Sequence, residues 1–149
     1  MKYYLINHAS RAAAYGIGTY CRYVRQCLKE ILDVEPVLID ISADADEFSV
    51  TETDGIEHIM IPLNSKPYGG ELHAHAMVAL LAEYLPTDEH CVFHFNYFQH
   101  YDLARLLKSR YPHCQLVFAI HYFSWCFALN GNVTRFRNIV HENEIVEEK

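Results

Sequence analysis

The chain has 149 residues, 51% of them hydrophobic, which is enough for one domain built around a single core. A formal net charge of -7 provides no positive field for phosphates and excludes nucleic acid or an anionic membrane as the main partner. No apolar stretch reaches the roughly 18 residues of a membrane span, and Met1 and Lys2 lead into a short strand without a signal-peptide layout; a cytoplasmic protein is expected, with peripheral association the one membrane role left open.

In chain order, "KYYLIN" (2–7) is a short β-rich run. It is followed by small and flexible residues in "HASRAAAYGIGTY" (8–20), which end in the pair Gly16 and Gly18 at a helix start. "GTYCRYVRQCLKEIL" (18–32) sets Tyr20, Val24, Cys27, Leu28, Ile31 and Leu32 at helical spacing, with Thr19 near the cap and Arg22, Arg25, Gln26 and Lys29 opposite. "PVLIDI" (36–41) reads as a strand. "FSVTETDGIEHIMIPL" (48–63) alternates on both sides of Asp54 and Gly55, a hairpin signal. "ELHAHAMVALLAEYL" (71–85) is a helix stopped by Pro86, "CVFHFN" (91–96) a strand, "QHYDLARLLKSRY" (99–111) a helix stopped at Pro112, and "QLVFAIH" (115–121) a strand. A last amphipathic piece runs from about Val133 into "HENEIVEEK".

Strands alternating with helices of this length predict an α/β, Rossmann-like domain over residues 1–149, with a mostly parallel sheet covered by helices on both faces and an antiparallel hairpin at an edge. "CVFHF" and "LVFAI", apolar at nearly every position, read as central strands. The charged tail has no terminating glycine and no following strand, and reads as the cut end of a truncated domain. Cys21, Cys27, Cys91, Cys114 and Cys126 form an odd set without C-x-x-C spacing and are expected to be reduced and buried.

Ligands of open α/β sheets bind beyond the carboxyl ends of the strands. That rule singles out Asn7, His8 and the glycine loop after the first strand, His94, Asn96 and Tyr97 around the end of "CVFHFN", and His121, Tyr122 and Trp125 after the last strand. Gly16 and Gly18 permit positive φ and close backbone approach, and the free N–H groups of the following helix start can hold a phosphate or a sugar hydroxyl. A plain loop-to-helix joint has the same sequence. From Gly16 the chain reads G-x-G-x-x-C with Asp40 downstream, but Cys21 stands where a dinucleotide fingerprint has its third glycine. His73 and His75 are two apart on a helix and cannot chelate together; no metal is expected. No G-x-S-x-G elbow and no crevice pair of carboxylates is present.

"YGIGTYCRYVRQCLKEI" together with "VFHFNYFQHYDLARLLKSRYPHCQLVFAIHYFSWCFALNGN" resembles the N-terminal half of a GT-B glycosyltransferase of the glycogen-synthase-like class, family 4, in particular a group from Bacteroidetes. The resemblance covers nearly the whole chain; the glycine loop is moderately specific, the two strand-end motifs more so. It implies a two-domain retaining enzyme, metal-independent, whose N-terminal domain mainly holds the sugar acceptor and whose C-terminal domain binds the nucleotide-sugar donor. On that basis Gly16, Ile17, Gly18 and Thr19 match the loop lying against donor diphosphate and acceptor, and His121 matches the histidine that reaches the transferred sugar. Asn96, Tyr97, Tyr122 and Trp125 would line the donor or acceptor site, although core packing is the commoner fate of such aromatics. The alternative role for His121 is to brace the "YFSWCF" loop. The C-terminal domain with its paired-glutamate motif is missing, so the chain is not expected to turn over alone. The alternative is a stand-alone module binding a nucleotide or a small anion.

Overall fold

The computed structural model describes residues 1–8, 16–43, 45–62, 70–86, 90–121, 130 and 132–134. Its elements are β1 (Lys2–His8), α1 (Gly16–Leu32), β2 (Val37–Ala43), β3 (Ser49–Thr53), β4 (Ile56–Pro62), α2 (Gly70–Ala82), β5 (Cys91–Phe95), a 3-10 turn (Phe98–His100), α3 (Tyr101–Arg110) and β6 (Gln115–Phe118). The chain divides into two compact units, Met1–Ala119 and Ile120–Lys149, and every one of these elements belongs to the first.

The sheet runs in the order β3-β4-β2-β1-β5-β6, and all neighbours are parallel except β3 and β4. This is the expected α/β architecture with a mostly parallel sheet, and β3 is the antiparallel edge. Asp54 and Gly55 both have positive φ (53° and 76°), the conformation that a two-residue type I′ hairpin turn demands. The hairpin also carries the chain from β2 to the parallel β4 without a helix, so the alternation of strands and helices is broken at this one connection.

Alternate residues of the strands face two unequal layers. On one face Tyr4, Ile6, Ile39, Ile41, Ile59, Ile61, Phe93 and Phe95 pack with Ala74, Met77 and Leu81 of α2 and Leu103, Ala104 and Leu107 of α3 into the main core. The other face carries α1, which buries only Ile17 and Leu28. A helix about 10 Å wide covers roughly two strands spaced about 4.8 Å apart, so among the described residues α1 by itself does not span that face. The apolar stripe of α1 is itself largely exposed: Ile31 is 75% and Leu32 55% accessible.

Three further expectations are corrected. β5 is buried throughout, but β6 alternates exposed and half-buried residues because it is the outermost strand, so "LVFAI" is not a central strand. β6 also ends at Phe118, which leaves His121 three residues beyond the strand instead of at its tip. Among the described cysteines, Cys91 and Cys114 are buried as expected, but Cys27 is exposed on α1 and Cys21 is half-buried. Cys126 lies outside the described residues. Native-state thiol titration should show a rapid phase that Cys27→Ser diminishes by one thiol, because the thiols of Cys91 and Cys114 are out of solvent; an unchanged fast phase would contradict this burial pattern.

Candidate functional site

The chain leaves β1 for β2 on one side and reaches β5 on the other, so the gap between the carboxyl ends of β1 and β5 is the topological switch point of the sheet. Asn7 and His8 end β1, and Asn96 and Tyr97 follow β5 directly. α1 also begins at this rim, as the first element after β1.

The rim has two parts. On the α1 face, His94 of β5 and Asn96 just after it stand two residues apart and meet consecutive residues of the helix. The Asn96 side-chain amide donates to the Ile6 carbonyl oxygen at 3.2 Å and to Cys21 Sγ at 3.3 Å. The backbone N–H of Asn96 donates to the same carbonyl at 3.2 Å. His94 Nε2 lies 3.3 Å from the Tyr20 hydroxyl and its Nδ1 2.7 Å from the Tyr3 hydroxyl. A neutral imidazole carries one N–H, so it donates to one tyrosine and accepts from the other. Burial, with the nearby Asp40 adding to it, pushes the Cys21 thiol up to about 11, which removes it as a nucleophile at neutral pH. Next to this group, Asp40 Oδ2 and His58 Nε2 are hydrogen-bonded at 2.8 Å across β2 and β4.

On the opposite face three rings gather. His8 stacks on His100 with centroids 5.8 Å apart and planes at 20°, and Tyr97 lies 5.7 Å from His8 and 6.0 Å from His100. His100 is 9% exposed, and burial, reinforced by His8 and His73, pushes its pKa down to about 4. Burial also lowers His8, against a partial opposing pull from Asp40. Both imidazoles are therefore neutral at pH 7. Two buried side-chain atoms at this rim, Asn7 Oδ1 and His100 Nδ1, have no hydrogen-bond partner.

The residues singled out from sequence fall into distinct roles. Asn7, His8, Asn96 and Tyr97 do converge at one rim. Asn96, 2% exposed and fully engaged with Ile6 and Cys21, braces α1 rather than facing an open crevice. His94 lies below the rim for the same reason. Gly16, Ile17, Gly18 and Thr19 form the first turn of α1, which starts two residues before the expected boundary. Neither glycine uses a positive φ, so the pair is helix and not a hinge; what it presents is backbone N–H groups that have no partner within the helix. A Cβ built on Gly16 would meet nothing within 4 Å. Gly16→Ala should accordingly leave the melting temperature unchanged or raise it slightly, since the chain's own packing makes no use of the missing side chain; a clear fall would disprove that. His121 belongs to the second unit and is exposed, and Tyr122 and Trp125 lie outside the described residues.

His100 and the Asp40–His58 pair were not legible beforehand. His100 is hidden inside a predicted helix, yet it closes a 3-10 turn, and the one available signal was its position three residues after Tyr97 at a strand exit. Away from the rim, a mostly apolar groove of about 460 Å³ runs between the later turns of α1 and the sheet, with Tyr3 and His94 in its lining and Val24, Leu28 and Ile31 among its walls. Among the described residues no group of three or more His, Cys, Asp or Glu is placed to hold a metal ion, and no helix is long and apolar enough to cross a membrane. The chain matches no protein-family model, no curated protein and no solved structure.

Proposed function

We propose that this chain is the acceptor-side domain of a retaining GT-B glycosyltransferase of family 4, acting in the cytoplasm with a second, donor-binding domain. The observation that carries the reading is the rim itself: the first turn of α1, Asn7, His8 and Tyr97 border the switch point, where an α/β domain binds its ligand. The α1 start has N–H groups without an intrahelical partner that suit a diphosphate, and the rings offer faces and neutral nitrogens to a sugar. The family resemblance assigns His121 to the transferred sugar, with Tyr122 and Trp125 following it in the chain.

The test is a screen of the complete gene product against nucleotide sugars, read as nucleoside-diphosphate release, with donor binding to residues 1–149 as the control. Transfer in the complete protein supports the reading; donor turnover absent across the panel defeats it. Gly18→Val in an active protein should reduce turnover by at least about tenfold, roughly 1.4 kcal/mol of transition-state stabilisation, while the domain stays folded. Undiminished transfer would mean that the α1 start does not touch the reacting groups. The second reading, a stand-alone module for a nucleotide or small anion, draws on the same α1 start and is favoured if residues 1–149 bind nucleotides tightly by themselves.

A further inference from the structure

We propose that the His8–Tyr97–His100 cluster, with Asn7 beside it, is a subsite for an uncharged ring bearing hydroxyl groups, and that this subsite rejects anions. The inference deepens the glycosyl-transfer reading and rests on it for the ligand's place in the reaction, but its chemistry comes from the cluster alone. Three rings lie within 6.0 Å of one another at the switch point, two of them imidazoles stacked nearly parallel. Tyr97 and His100 are buried behind the half-buried His8 and Asn7, which stand at the last two positions of β1 on its two sides.

Buried polar atoms in folded proteins are nearly always paired, so Asn7 Oδ1 and His100 Nδ1 mark a place where the partner comes from outside the described chain. The identity of these atoms selects that partner. An amide oxygen only accepts, so it needs a donor, which a sugar hydroxyl supplies and a carboxylate does not. A neutral imidazole offers one donor and one acceptor nitrogen, and a hydroxyl can meet either. An anion would instead favour imidazolium, and the groups facing His100 work against that: His8 from β1 and His73 from α2 both oppose a charge there, and Asp40 acts on His8 only partly. Ring faces such as that of His8 suit the apolar face of a sugar.

The experiment is NMR of the 149-residue chain labelled at histidine ring nitrogens and at side-chain amides, titrated separately with neutral monosaccharides, inorganic phosphate and uridine diphosphate. The expected result is a saturable shift of the His8, His100 and Asn7 signals with at least one monosaccharide and none with phosphate. His100→Phe, which replaces a buried polar ring with an apolar one of similar shape, should stay folded and lose the sugar response, and His100→Gln should keep part of it. Phosphate or uridine diphosphate shifting these signals while sugars leave them unmoved would overturn the proposal. So would signals silent to every sugar, which would leave an internal water as the partner of both atoms. Donor turnover is read separately in the complete protein, so loss of the subsite and loss of the transferase reading are distinct outcomes.

Discussion

Phe93→Ala should cost about 3–5 kcal/mol, a large part of the 5–15 kcal/mol that holds a domain of this size together. Phe93 is fully buried at the centre of β5, stacks on Tyr4 at 5.1 Å and 19°, and packs against Tyr111 at 5.6 Å. Its loss leaves a cavity between the sheet and the α2–α3 layer, and those walls are themselves strands and helices fixed by their own hydrogen bonds, so they cannot close over it. Urea unfolding monitored by circular dichroism measures the effect. A loss below about 1 kcal/mol would mean that the core is looser than its burial implies. The effect reaches the rim as well. His94 in the same strand and Asn96 directly after it hold Tyr20 and Cys21 of α1, and a shift of β5 moves them together.

The sheet was legible because its strands obey local rules. The apolar run of β5, the alternation of β3 and β4, and the Asp54–Gly55 turn each state their conformation within a few residues. Layer coverage was not legible, because a helical stripe reports that α1 has an apolar side and not how much sheet is available to it; Leu28 finds cover and Ile31 does not. Helix starts were uncertain for a related reason. Gly16 reads as loop by propensity, yet it enters α1, whose following turns are tied to β5 by Tyr20 and Cys21.

At the rim, residues next to strand ends were legible from the rule for open sheets, which found Asn7, His8, Asn96 and Tyr97. Their roles were not. Whether Asn96 faces a ligand or a carbonyl depends on Ile6, 90 positions away in sequence, and His100 joins the cluster only through the 3-10 turn that swings it back under His8.

Stability should fall steeply as the pH drops from about 6.5 towards 4, and His100 should account for much of that fall. Its pKa in the fold is about 4, while the unfolded chain returns it to the ordinary histidine value near 6.5. Between those limits the unfolded state takes up a proton that the folded state refuses, so acid favours unfolding; the contribution is fully present above about 6.5 and is lost as the pH falls through about 4. The gap corresponds to on the order of 3 kcal/mol. His8, lowered in the same direction by burial, adds to the slope, and His73 opposes charge on His100 from the α2 side. The exposed Lys29–Asp33 pair, screened by water, adds little. His100→Phe cannot take up the proton in either state, so its unfolding free energy should decline far less than that of the native chain between pH 6.5 and 4, measured by urea titration at each pH. Parallel curves for the two proteins would show that His100 is as easily protonated in the fold as in the unfolded chain. The stacked imidazoles would then be charged at mildly acid pH, and the rim between β1 and β5 would be built for anions instead of neutral hydroxyls.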